Sequence, residues 1–121
     1  MVTAKYFNED EFRRCFPACS LQDMQQSTMD KLDAAREWAG IPFVLNSAYR
    51  SVEHEKKQKR DGKSAHTLGR AVDIRCNSDY NRLRMVNALI QAGFTRIGVY
   101  KGGWVHADDS PSHSQNVMWV E

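Results

Sequence analysis

The 121-residue chain has few of the features that fix a protein's class at a glance. It has only three cysteines, Cys15, Cys19 and Cys76. An odd, small number argues against a disulfide framework, and Cys15 and Cys19 have no second pair with which to build a four-cysteine zinc site. They read as buried or free thiols. No stretch approaches the ~20 apolar residues that a membrane span requires. The first residues, MVTAKYFNEDEFRR, lack the apolar segment and small-residue cleavage site of a signal peptide. The expectation is therefore synthesis in the cytoplasm without an export signal, and no membrane partner. The formal net charge is only +2, too little for a nucleic-acid partner. There is no internal repeat, no low-complexity segment and no linker, so residues 1–121 are expected to form one domain with a single core.

What the chain does have is periodicity. EDEFRRCF reads as a short helical turn before a loop at Pro17. Ser27 is expected to cap a helix running to Gly40, because Met29, Leu32, Ala35 and Ala39 recur at helical spacing. Gly40 suits the left-handed position after the last turn, and Pro42 blocks continuation. The apolar run over residues 42–48 predicts a buried strand. SVEHEKKQKR has helical composition and reads as a solvated face, RDGKSAHTLG as a loop, and RAVDIRC as a strand. Ser78 caps a second helix through Ala92, with Leu83, Val86, Leu89 and Ile90 as its expected buried stripe. FTRIGVY, the turn KGG and WVHADD predict a hairpin, and QNVMWVE a last short strand. Two main helices against a small, largely antiparallel sheet make an α+β fold.

The chemistry concentrates in a few residues. His66 and Asp73 stand seven positions apart, with Gly69 between them breaking any helix. Strand alternation puts Asp73 with Ala71 on one face of RAVDI, opposite Val72 and Ile74. An ionised carboxylate there needs a partner, a metal ion or an arginine. On WVHAD, the same alternation sends Trp104, His106 and Asp108 to one side. Two histidines and a carboxylate are a common ligand set for catalytic zinc. The spacing alone also allows a hydrogen-bonded His–Asp pair beside a structural turn.

At these residues the sequence resembles the zinc D-Ala-D-Ala carboxypeptidase family, which shares its fold with the hedgehog signalling domain and includes phage L-alanyl-D-glutamate endolysins. The family motif Ser-x-His-x-x-Gly-x-Ala-x-Asp stands unbroken as Ser64, His66, Gly69, Ala71 and Asp73. An upstream Ser-x-Tyr-Arg-Ser matches Ser47, Tyr49, Arg50 and Ser51, and a downstream aromatic-x-His matches Trp104 and His106. The resemblance covers at least residues 42–108. It implies a hedgehog/DD-peptidase-like fold with one Zn²⁺ on His66, Asp73 and His106. It implies that Arg50 steadies the substrate carbonyl and the developing oxyanion, and that Ser64 contacts substrate. Tyr49 and Trp104 are expected to line the pocket.

The implied activity is hydrolysis of amide bonds in bacterial peptidoglycan stem peptides, by a monomer acting on the cell wall and encoded by a phage or prophage. One departure bears on catalysis. Many members carry an acid three residues before the last histidine, where this chain has Gly103, and others a histidine two before, where it has Trp104. Asp108 is the expected substitute, either as proton acceptor or as the residue that orients His106. Asp109, His113 and Tyr100 are weaker candidates. Loss of the acid with retention of zinc would instead leave a binding domain for wall peptides or a protein partner.

Overall fold

A computed structural model describes residues 1–121. Four α-helices, α1 (Glu9–Arg13), α2 (Gln26–Ala39), α3 (Val52–Lys57) and α4 (Asp79–Gln91), accompany five strands: β1 (Leu45–Ser47), β2 (Ala71–Arg75), β3 (Arg96–Tyr100), β4 (Trp104–Asp108) and β5 (Val117–Val120). The strands form one sheet in the order β1-β2-β4-β3-β5, antiparallel except for the β3–β5 pair. This is the expected α+β architecture. No helix is long and apolar enough to cross a membrane.

The apolar face of the sheet carries Val72, Ile74, Ile97, Val105 and Ala107, which share one core with Met29, Leu32 and Ala35 of α2 and Met85, Ala88 and Leu89 of α4. All four expected apolar positions of α2 are buried, and Gly40 takes the left-handed conformation that ends the helix. The start of α2 differs from expectation. The cap is Gln25, without a side-chain bond, and not Ser27. A tertiary contact sets that start, because the Gln25 N–H donates to the carbonyl of Gly69, 2.9 Å away.

In α4 the Ser78 cap is present, its hydroxyl accepting from the Asn81 N–H. The buried stripe is Met85, Ala88 and Leu89, whereas Leu83 is 74% exposed and Ile90 46%. Of the expected stripe, Leu89 is buried and Val86 packs partly buried against the core, while Leu83 and Ile90 face outward and Met85 and Ala88 take their places. Apolar residues cover more than one face of this helix, and its packing against α2 decides which of them are buried.

β1 is shorter than the expected residues 42–48. Its register with β2 shifts between Leu45 and Ser47. The chain then leaves the sheet, and the Arg50 N–H donates to the carbonyl of His66 at 3.2 Å. The predicted loop around His66 contains a 3₁₀ turn, Ala65–Leu68, capped by the Ser64 hydroxyl. The three cysteines are free, with Cys15 and Cys76 buried.

Candidate metal centre

The polar face of the sheet is organised by register. Asp73 pairs with His106, His106 with Gly98, and Gly98 with Trp119, giving one row across four strands. A Cβ at Gly98 would lie 2.6 Å from the Trp119 ring, so only glycine lets that indole lie across the strand. The indole lies against His106, with ring centroids 5.3 Å apart, and donates from Nε1 to the Tyr100 hydroxyl at 2.9 Å. The next row joins Ala71, Asp108 and Arg96.

His66 reaches this row from the 3₁₀ turn. Gly69 closes that turn at φ +68°, and a side chain there would run into the carbonyl oxygen of Asp23. The glycine of the motif is thus fixed both by its left-handed backbone and by close packing. His66 is buried, and its Nδ1–H donates to the Ala48 carbonyl at 2.6 Å. That bond fixes the tautomer and leaves the Nε2 lone pair unused. Nε2 is buried with no hydrogen-bond partner, yet faces Asp73 Oδ1 at 3.4 Å.

Burial lowers the pKa of His66, against the raising effect of Asp73. The Asp73 carboxyl sits well below the usual carboxylate range. Burial alone would raise it, but the two imidazoles beside it, His106 at hydrogen-bond distance and His66 at 3.4 Å, outweigh that. A neutral imidazole nitrogen aimed at an ionised carboxylate is two lone pairs facing each other, and a cation between them removes the conflict. His106 Nδ1 is 3.1 Å from the same Asp73 oxygen.

The donor atoms of His66, Asp73 and His106 all lie within 4.8 Å of one another. Tetrahedral zinc, about 2.0–2.2 Å from each donor, separates neighbouring ligand atoms by roughly 3.3–3.6 Å, close to the 3.4 and 3.1 Å that separate Asp73 Oδ1 from His66 Nε2 and His106 Nδ1. The residues present therefore fit a divalent ion, with His66 offering Nε2, His106 offering Nδ1 and Asp73 a carboxylate oxygen.

Asp108 lies on the far side of His106. Its Oδ2 accepts from His106 Nε2 at 2.6 Å, Oδ1 accepts from the Ser110 N–H at 3.1 Å, and Arg96 Nε approaches to 2.9 Å. The residue is fully buried. Its pKa is lowered, since the His106 bond, the Ser110 N–H and Arg96 together outweigh burial. The pKa of His106 is raised; burial opposes this, and the bonds to Asp108 and Asp73 prevail. Asp109 points elsewhere, tying β4 to α2 through Thr28 at 2.7 Å and Lys31 at 2.9 Å.

A cleft of about 440 Å³ opens over these residues. Arg50 lines it, with Nη2 3.7 Å from Asp73 Oδ2. Ser64 also lines it while capping the His66 turn at 3.1 Å. Trp104 forms a wall, stacked on Tyr100 with centroids 4.7 Å apart. Tyr49 is not part of the lining; it packs, half-buried, against the core. His113 reaches the rim, bridging the Ser110 hydroxyl and the Lys63 carbonyl.

Sequence reasoning missed the Ala48 carbonyl, Arg96, Trp119 and Glu55. Strand alternation along β3 and β5 offered a signal for Arg96 and Trp119. The backbone of Ala48 offered none. Glu55 lay in a stretch read as solvated, but is fully buried against Arg60, which lines the cleft.

The sequence profile of the family described as Peptidase M15 matches residues 5–108. Among curated proteins, none matches the chain.

Proposed function

The chain belongs to the peptidase M15 family, the zinc D-Ala-D-Ala carboxypeptidase family that its motifs resemble, and on that premise we propose that it hydrolyses amide bonds in bacterial peptidoglycan stem peptides with one zinc ion held by His66, Asp73 and His106. The observation that carries the proposal is the orphaned Nε2 of His66. It is buried, locked in one tautomer by Ala48, and aimed at a carboxylate shared with a second histidine. When bound, zinc polarises the scissile carbonyl and makes water nucleophilic near neutral pH.

The chain's own residues do the rest. Asp108 holds His106 by Nε2, so that Nδ1 turns toward the ligand set. Of its two expected roles, the orienting one is favoured, because both carboxylate oxygens are engaged by His106, Ser110 and Arg96. Arg50 presents a fixed positive charge beside Asp73, suited to the oxygen on which negative charge develops. Trp104 and Trp119 wall the cleft and restrict water. Ser64 holds the His66 turn from the cleft wall, within reach of substrate. The setting that suits such an activity is the bacterial wall, reached by a phage- or prophage-encoded enzyme.

The test is release of peptide fragments or D-alanine from purified peptidoglycan, with and without a chelator and with His66→Ala. Turnover that vanishes in both controls supports the reading. Tight zinc binding without any product would leave a zinc-dependent binding domain in its place.

A further inference from the structure

Behind β1 the fold brings together two thiols that the peptidase reading leaves without a task. After α1 the chain doubles back, so that the N–H groups of Cys15 and Cys19 both donate to the Phe12 carbonyl, at 3.2 and 3.1 Å. The sulfurs follow the backbone. Cys19 Sγ lies 3.8 Å from that same oxygen, and Cys15 Sγ lies 3.4 Å from the adjacent carbonyl of Glu11. Meeting at one acceptor brings the two backbones toward the Cα separation of about 4.4–6.8 Å that a disulfide spans.

The two thiols also act on each other. Cys19 is the main reason that the Cys15 thiol is pushed up, and burial adds to it; Cys15 is the main reason that Cys19 is lowered, against its burial. Cys15 is buried and Cys19 only partly so, so the more exposed cysteine is also the one that ionises more readily. Cys76 is elsewhere. It follows β2, and its thiol is turned toward the Ser78 carbonyl at the start of α4, 3.8 Å away.

The position of the pair gives it a consequence. The Phe16 N–H donates to the Asn46 carbonyl at 2.9 Å, and Cys15 Sγ approaches the Leu45 carbonyl at 3.9 Å, so the segment between the thiols is pinned to β1. Cys19 Sγ faces the Tyr49 N–H. Tyr49 stands between Ala48, whose carbonyl fixes the His66 tautomer, and Arg50, which lines the cleft.

We propose that Cys15 and Cys19 close into a reversible disulfide that staples the end of α1 to the segment backing β1, leaving Cys76 reduced. The oxidant is a small-molecule disulfide of the glutathione class, met outside the reducing cytoplasm. Cys19, as thiolate, attacks one sulfur of that reagent. A mixed disulfide forms, and one small thiolate leaves and takes up the proton that Cys19 gave up. Cys15 then attacks Cys19 Sγ, and the second small thiolate leaves with the proton of Cys15. Two protein thiols are oxidised to one disulfide, and the reagent is reduced to two thiols. The exchange uses neither the metal nor a peptide substrate, so it stands apart from the peptidase reading.

In the experiment the full-length protein is incubated with oxidised glutathione under native conditions, quenched in acid, alkylated in denaturant and mapped by mass spectrometry. Wild type should lose two hydrogens, about 2 Da, and then take up a single alkyl group, on Cys76. Excess dithiothreitol should return all three cysteines to alkylation. Cys15→Ser should stop at the glutathione adduct on Cys19, and Cys76→Ser should close as wild type does. Cys15 is buried, so Cys15→Ala repeats the stalled-adduct test without placing a hydroxyl in the core. The oxidised protein should melt about 5 °C above the reduced one, because a short covalent loop restricts the unfolded chain.

A stable glutathione adduct on wild type overturns the pair, as does a bond that includes Cys76, or three alkylated cysteines after the incubation. An oxidised form that melts no higher than the reduced form overturns the staple even where the bond forms.

Discussion

Replacing Asp108 by asparagine separates the two roles the residue can have. Asparagine keeps the volume and one oxygen that can accept from His106 Nε2 or the Ser110 N–H, but it loses the charge that answers Arg96. If Asp108 orients His106, its loss acts on the metal. Removing a partner of this kind costs about 10–100-fold in metal affinity, or roughly 1.4–2.7 kcal/mol. Turnover should then recover to within several-fold of wild type once zinc is saturating. If Asp108 were the proton acceptor, zinc affinity would hold and kcat would fall by about 10²–10⁴ at any zinc concentration.

The assay is a zinc titration against a chromogenic chelator, followed by turnover at saturating zinc. Asparagine is the informative substitution. Alanine would leave Arg96 unpaired in a buried setting, at about 3–5 kcal/mol, a large part of the roughly 5–15 kcal/mol that holds a domain folded. Unchanged zinc affinity with abolished turnover in Asp108→Asn would refute the orienting role.

Other outcomes follow from the same geometry. Gly69→Ala should lower stability by about 2–3 kcal/mol or more, since it combines a left-handed backbone with a collision against Asp23; chemical denaturation reads this directly. Arg50→Ala should lower kcat by about 10²–10³ with little change in zinc affinity, and Arg50→Lys should restore only part of it; steady-state kinetics with a parallel zinc titration check both. The metal-free protein should lose stability in acid. The folded pKa values of Asp73 and Asp108 lie below the unfolded ones, so their contribution is complete above the unfolded value of about 4 and disappears as pH falls toward the folded values. His66, lowered by burial, adds to the loss as pH falls below about 6.5, whereas the contribution of His106, raised, is already complete below about 6.5 and is lost as pH rises through its folded value. Thermal unfolding of the apo form from pH 8 to 3 tests the balance, with the steepest fall expected below about pH 4.

What the sequence determined by itself was the chemistry and its faces. The motif around His66 and Asp73 marked two of the three residues that the fold gathers into one cluster able to hold a metal ion. Alternation along β2 and β4 separated Asp73, His106 and Asp108 from the apolar residues behind them, because a strand permits only two directions. Helical period located α2 and α4 and placed Leu89 and Val86 toward the core, but the edges of the buried face, with Leu83 outside and Met85 inside, were decided by the neighbouring helix. Tertiary structure alone supplied partners that lie far along the chain. Ala48 fixes the tautomer of His66 with a backbone oxygen that no side-chain pattern advertises. Trp119 reaches His106 only because β5 pairs with β3 opposite Gly98. Glu55 looked like one more charge on a solvated helix, and becomes the anchor of Arg60 and Arg50 only when a short turn folds both toward it. The orienting role proposed for Asp108 likewise rests on its surroundings in the fold. Its spacing from His106 put the two on one face, and only the surrounding Arg96 and Ser110 show that the carboxylate is already engaged.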